Sequence, residues 1–506
     1  MRLPDFALAA LRRSRSLPAA RRTAALDALI VLVQPNDAGV LRRLPESERW
    51  QAMHRRSKAA ALKWRSTVLA NDNQTVALLG YTKPGAAAFE RLTLAGKLLR
   101  ELAGRRPARI GLIVDQSVPD AAQWYDALLT AAWTATFALP DFRTERPPPW
   151  RLRSIDLFAA PTFDTRRIAA SARAGNLVRT LTAMPPSELT ATTYRQLLTQ
   201  LARQHHLTLR WYSESDLRRL KAGAFLAVAR GNAARTAGIA HLRWRGSGRG
   251  RTRRNATRAP DVALVGKGIL FDTGGINLKP HRSMLDMHTD MSGSAVALAT
   301  LLALSELDSP VNADAWLAIT ENNIGPSAYR PQEIVRACNG TTIQVIHTDA
   351  EGRMVLADTL ALAARTRPRL TIDYATLTGA CVYALTERYS GVFTNRPAWA
   401  EALQSAGASS GERVWNFPLD EDFDSDLESS HADIVQCAVE GKGDHILAAR
   451  FLKRFIGDEL PWVHVDLSSA TRRGGLAHVG TEVTGFGVRF TLELLLSRKL
   501  QNGSAA

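Results

Sequence analysis

Two short runs of this sequence set acids and glycines at the ends of apolar stretches. The first is Val265-Gly-Lys-Gly-Ile-Leu-Phe-Asp-Thr-Gly-Gly275, with Lys279 and Asp290 following it. The second is His347-Thr-Asp-Ala-Glu-Gly-Arg353, which leads into the apolar helix-forming run Met354–Leu360. Asp349 and Glu351 stand two apart, so an extended chain would project both to one face. Two carboxylates side by side repel, and one takes up a proton unless a cation lies between them. A hard divalent metal resolves that conflict. Asp272 and Asp290 bring the carboxylates to four, a charge that balances two such ions. Taken singly, each acid could be a surface salt bridge or a helix cap. Together, among glycines and apolar runs at strand ends, they read as buried, and buried acids need partners.

Other chemistries fit less well. None of the eleven histidines falls in an H-E-x-x-H pattern, which removes a histidine-based zinc protease. The Gly-Lys-Gly at 266–268 lacks the third glycine and the helix start of a dinucleotide fingerprint. Cys338, Cys381 and Cys437 are too few and too scattered for a disulfide framework or a thiolate zinc site. They read as packed cysteines in a reducing compartment.

The elements that must position these acids alternate between strand and helix. In the second half, strands are expected near 262–271, 313–320, 370–374 and 462–467, with helices near 293–305, 354–365 and 444–455. In the first half, apolar strands at 29–33, 76–80 and 110–114 alternate with helical stretches such as 89–102. The prolines at 147–149 mark an exit, and 165–182 reads as a long helix joining two domains. At about 100–200 residues per domain, 506 residues suit two or three domains. The expected organisation is a basic segment over 1–22, a smaller N-terminal α/β domain over 23–164, a linking helix over 165–182 and a larger C-terminal catalytic domain over 183–506. The fold class is α/β, with a mixed, mainly parallel central sheet flanked by helices in the larger domain. No apolar stretch approaches the roughly 18–20 residues of a bilayer span, so a membrane protein is not expected.

The net charge is +17, from 65 Lys and Arg against 48 Asp and Glu. Residues 1–22 hold six arginines and one acid, the composition of an organelle transit peptide or an ordinary basic helix. Folded structure is expected to have begun by about residue 25. Residues 243–258 hold seven arginines and no acid, and read as a solvated loop joining two strands. These two runs permit a DNA-binding or architectural role, alone or beside an enzymatic one.

The segments V-G-K-G-I-L-F-D-T-G-G, H-T-D-A-E-G-R and Y-A-T-L-T-G-A resemble those of the leucyl aminopeptidase family, the M17 metallopeptidases. The resemblance runs from about residue 165 to 495 and includes E-N-N-I-G-P-S-A-Y-R-P at 321–331 and W-N-F-P-L at 415–419. It implies a cytoplasmic two-metal exopeptidase, assembled as a homohexamer, that trims the N-terminal residue of short peptides. Carried over by position, Lys267, Asp272, Asp290, Asp349 and Glu351 would ligate two Mn²⁺ or Zn²⁺ ions, with Asp272 and Glu351 bridging. Lysine ligates only as the neutral amine, so the dication would have to depress the pKa of Lys267. Lys279 and Arg353 would be the catalytic side chains, Lys279 stabilising an oxyanion and Arg353 holding a bicarbonate that shuttles a proton. Met287, Thr376, Leu377 and Gly379 would line the pocket for the first side chain.

The match departs from the family at several positions. His347 stands where the family has Asn, and could be a spare ligand, a donor to a ligand or a packed histidine. Ser468 and Thr471 replace more apolar side chains, which would weaken a preference for leucine. Gly441-Lys-Gly-Asp-His445 and Thr484-Gly-Phe-Gly487 also differ, changes expected to bear on packing or subunit contacts more than on chemistry.

Overall fold

Runs of Val, Leu, Ile and Ala too uniformly apolar to face water on either side form the inner strands of two sheets. The structure, a computed structural model, describes residues 4, 6–59, 63–146, 148–246, 259–497 and 500. The first sheet has six strands in the order Ala10–Ser14, Ser154–Phe158, Arg109–Val114, Ala28–Val33, Val76–Tyr81 and Trp64–Val68. All neighbours are parallel except the last pair. Helices Ala88–Leu102 and Ala121–Ala135 bury their apolar stripes on it.

The basic segment over 1–22 is thus not separate from the first sheet but contributes its edge strand. Ala10–Ser14 lies at the sheet edge in parallel register with Ser154–Phe158, and Ala20–Thr23 is a short helix. Arginines on an edge strand discourage pairing with other chains, so its basic composition suits its place. Arg22 pairs with Asp156 at 2.9 Å. Of the arginine run at 243–258, residues 247–258 lie outside the described residues.

Helix Thr165–Thr182 leads from this sheet to the second, with Asp164 accepting from the Arg167 amide at its N-terminus. It packs on Ala121–Ala135, on Ser292–Glu306 and on Val488–Leu496.

The second sheet has eight strands in the order Val414–Asn416, Ser390–Thr394, Trp462–Asp466, Thr371–Ala375, Val262–Asp272, Ala313–Asn322, Gly238–Trp244 and Thr208–Ser213. The four central strands are mutually parallel, and antiparallel strands flank them. Alternation splits the core across the two faces: Val262 and Leu264 join one apolar cluster, Ala263 and Val265 the other. Helix Ser292–Glu306 covers the first face and helix Glu351–Ala364 the second. The first helix comes so close that a Cβ on Gly293 would sit 2.1 Å from the Tyr374 carbonyl oxygen, a contact only glycine permits. A three-stranded sheet of Ile334–Arg336, Thr342–Gln344 and Ile434–Val435 stands beside the loop that carries His347. Among the described residues, no helix is long and apolar enough to cross a membrane.

Candidate metal centre

In an open parallel sheet, side chains converge beyond the carboxyl ends of the strands. Here Asp272 ends its strand, Asn322 ends the next, and Thr376 and Leu467 follow directly on two more. The chain after Asp272 turns back through Gly274 and Gly275, at φ +87° and +65°. A Cβ on Gly274 would also meet the Asn277 carbonyl at 2.6 Å and Asp349 Oδ1 at 2.9 Å. The returning backbone is tied by the Lys279 amide to the Thr273 carbonyl at 2.9 Å, which brings Lys279 over Asp272.

Lys267 lies within the strand and points toward the helix that starts at Glu351. Its Nζ stands 2.9 Å from Asp290 Oδ1, 2.9 Å from Glu351 Oε1 and 3.0 Å from the Thr376 carbonyl. Gly352 makes the room, since a Cβ there would lie 2.6 Å from Lys267 Nζ. Lys279 Nζ stands 2.9 Å from Asp272 Oδ2 and 2.5 Å from Asp349 Oδ1. Carboxylate oxygens of Asp272, Asp290 and Glu351 lie within 4.8 Å of one another, and all three residues are buried. The five residues expected as ligands are thus brought together with Lys279.

The local backbone around Asp349 and Glu351 differs from the extended segment read from their spacing. Helix Glu351–Ala364 begins at Glu351, three residues before Met354, and Asp349 sits in the turn that enters it. The two acids face one cluster because the chain turns. The Asp349 amide donates to His347 Nδ1 at 3.2 Å, which makes His347 a hydrogen-bonded turn residue.

The electrostatics are those of a crowded, dry acidic site. Burial, then the neighbouring Asp272, pushes the Glu351 carboxyl up to about 8. Burial raises Asp290 to about 6 against the pull of Lys267, and burial followed by Asp272 raises Asp349. Burial alone would lower Lys267, but Asp290, Glu351 and Asp272 overcome it and hold the ammonium form. Asp290 Oδ2 and Glu351 Oε2 are buried without a hydrogen-bond partner. Orphaned acid oxygens beside other acids, with two ammonium groups as the local counter-charge, form a donor set that fits hard divalent cations.

Several positioning residues were not read from the sequence. Asn322 Nδ2 donates to Asp272 Oδ1 at 2.8 Å and to the Thr348 carbonyl at 3.0 Å. Tyr329 donates to the same carbonyl at 2.7 Å. Gln436 Oε1 accepts from the Ile346 and His347 amides at 3.1 Å, and its Nε2 donates to the Ala350 carbonyl at 3.0 Å. Asp466 accepts from the Leu377 amide at 3.1 Å and the Thr378 hydroxyl at 2.6 Å, which fixes the wall after Thr376. Thr376 itself donates to Asp290 Oδ1 at 2.7 Å.

A cleft of about 640 Å³ opens over the cluster, and Met287, Thr376, Leu377 and Gly379 all line it. Ser468 and Thr471 line it too, the Ser468 hydroxyl donating to Cys381 Sγ at 2.9 Å. Arg353 is buried in its floor, but not with a free anion in prospect. Its Nη2 donates to both oxygens of Asp444, at 2.7 and 2.8 Å, and its Nη1 to the Gln436 carbonyl at 3.2 Å. The loop 441–445, expected to bear on packing, instead delivers a carboxylate to the cleft. The Gly-x-Ser-x-Gly spelling at 407–411 closes helix Ala400–Ser410 and forms no strand-to-helix turn, so it carries no nucleophile.

The profile of the cytosol aminopeptidase family, catalytic domain, matches residues 176–492. The protein named "Probable cytosol aminopeptidase" of Syntrophotalea carbinolica is 36% identical over 427 residues, covering 82% of each chain. Its namesake in Gluconobacter oxydans is 35% identical over 429 residues, covering 82% of this chain and 83% of that one. Among solved structures, a tomato leucine aminopeptidase mutant superimposes with a TM-score of 0.86 at 25% identity, covering 98% of each chain. The bottromycin maturation enzyme BotP in complex with Mn superimposes with a TM-score of 0.80 at 29% identity, covering 94% of this chain and 99% of that one.

Proposed function

The chain belongs to the cytosol aminopeptidase family, and from that membership we propose that it is a two-metal aminopeptidase cleaving the first peptide bond of short peptides. One observation carries the proposal: three buried acids converge within 4.8 Å, and two of them keep an unpartnered oxygen. Lys267, Asp272, Asp290, Asp349 and Glu351 would hold a pair of Mn²⁺ or Zn²⁺ ions. Bound there, such ions supply Lewis acidity, lowering the pKa of a water and polarising the scissile carbonyl.

The chain's own residues do the rest. To hold a cation Lys267 would have to lose its ammonium proton and act as a neutral donor, so loading would release protons. Lys279 would present its ammonium to the carbonyl oxygen as negative charge develops there. Asn322 and Thr376 hold Asp272 and Asp290 in place by hydrogen bonds to their carboxylates. A free α-amine is accepted at this acidic floor, where an acylated terminus offers nothing. Met287, Thr376, Leu377 and Gly379 flank the first side chain, Met287 as an adaptable apolar wall. The family resemblance also implies a bicarbonate at Arg353, but Asp444 already engages that guanidinium.

The test is a chelator-stripped protein reloaded with Mn²⁺ or Zn²⁺ and assayed on a panel of aminoacyl amides beside their N-acetylated forms. Turnover should require metal and a free amine, with close to two ions per chain by elemental analysis. Absence of turnover under any metal would refute the proposal. A homohexamer is carried over from the family on the same terms, and sedimentation velocity decides it. The DNA-binding alternative rests on basic charge alone.

A further inference from the structure

Arg353 is 2% exposed, and its charge needs an anion. The chain supplies one. Gly441 and Gly443, at φ +66° and +62°, bend the backbone so that helix Asp444–Ile456 starts with its first carboxylate against the guanidinium. Asp444 stays 24% exposed and lines the same cleft as Asp349, Lys279 and Glu351. Its partners hold it in place without covering it. A carboxylate presents two equivalent oxygens on one carbon, as bicarbonate does, but it is tethered and needs no binding step.

We propose that Asp444 is a built-in proton carrier, which rests on the aminopeptidase reading above. One proton of the attacking water passes to an Asp444 oxygen as the water's electron pair forms the new C–O bond. When the C–N bond breaks, its electron pair stays with the leaving nitrogen, which takes that proton from Asp444. The carboxylate is restored and water is the sole reagent consumed. Arg353 is then a positioning residue that keeps the carboxylate aimed into the cleft.

The experiment compares the metal-loaded full chain with its Asp444→Gly and Asp444→Asn variants in bicarbonate-free buffer, then with added bicarbonate. The parent should turn over equally with and without bicarbonate. Both variants should lose kcat by about 10²–10⁴-fold, the usual contribution of general acid–base catalysis, with KM and metal content nearly unchanged. Bicarbonate should restore part of the rate to Asp444→Gly, which opens the space, and not to Asp444→Asn. A second readout needs no turnover: calorimetric titration should detect saturable bicarbonate binding to Asp444→Gly and none to the parent. A bicarbonate-requiring parent, or a variant with parental kcat in bicarbonate-free buffer, overturns the proposal, as does a loss confined to KM. If Asp444→Gly does not fold, the isosteric Asp444→Asn decides between the same outcomes through its kcat. An inactive parent instead fells the aminopeptidase reading, and the proton carrier with it.

Discussion

Removing the Asn322 side chain tests how the cluster is held. Asn322 ends the strand next to Asp272, and its Nδ2 reaches Asp272 Oδ1 at 2.8 Å and the Thr348 carbonyl at 3.0 Å. A hydrogen bond to a charged acceptor contributes about 1.5–3 kcal/mol, and a neutral one about 1 kcal/mol. Asn322→Ala should therefore cost the metal-free protein about 2–4 kcal/mol, read from urea denaturation by tryptophan fluorescence. Releasing a ligand carboxylate should also weaken Mn²⁺ binding by about 10–100-fold in calorimetry. Tyr329→Phe is the matched control. It removes a neutral bond of 2.7 Å to the same Thr348 carbonyl but touches no acid. Its stability loss should be about 1 kcal/mol, with Mn²⁺ affinity nearly parental. Either single variant leaves Thr348 one side-chain donor, whereas the double variant leaves none. The pair should consequently be non-additive by about 0.5–3 kcal/mol. Parental Mn²⁺ affinity in Asn322→Ala, or equal losses of affinity in both single variants, would refute the idea that Asn322 positions Asp272.

Three further outcomes follow from particular contacts. Gly352→Ala puts a Cβ 2.6 Å from the pinned Lys267 Nζ, so it should cost about 1–3 kcal/mol by overpacking and weaken Mn²⁺ binding, measured by melting and calorimetry. Glu412 accepts from the Gly487 and Phe490 amides at 2.9 and 2.8 Å, and burial pushes its carboxyl up to about 7 from the ordinary 4.5. Between those values the folded chain keeps a proton that the unfolded chain has lost. Its contribution is thus full below 4.5 and lost as the pH rises through 7, so the melting temperature of the parent relative to Glu412→Gln should climb as pH falls across that window. A flat difference would dismiss this. Thr471→Met makes the cleft wall more apolar and should raise the kcat/KM ratio of leucyl over seryl amides by about tenfold, the scale of one or two buried methylenes.

The second sheet was legible because its strands are buried on both faces and so read as unbroken apolar runs. The strands expected at 262–271 and 462–467 came out as Val262–Asp272 and Trp462–Asp466, and the helix expected at 293–305 as Ser292–Glu306. Ala10–Ser14 was not legible for the opposite reason. It is an edge strand whose side chains mostly face solvent, so no alternation marks it, and its partner lies some 140 residues away at Ser154–Phe158. Pairing over such a separation leaves no trace in local composition, whereas the six arginines of 1–22 did, and pointed elsewhere.

In the site, spacing revealed the acids but misread how they meet. An extended chain would set Asp349 and Glu351 on one face, yet a turn and the first residue of a helix bring them together. Asp290 follows the three-residue turn Met287–Thr289 and has no local signature; Thr376, 86 positions later, orients it. Asp444 shows the limit most clearly. Read along the chain, an acid between two glycines and a histidine is a loop change; read in space, it is the counter-charge of a buried arginine 91 positions earlier. That pairing cannot be inferred from either residue alone, because an isolated arginine is satisfied equally by solvent, a dissolved anion or a carboxylate. Burial decides among the three. Once the cleft floor excludes water, a guanidinium with no carboxylate beside it would need an anion from solution, and a chain that places Asp444 there has removed that need.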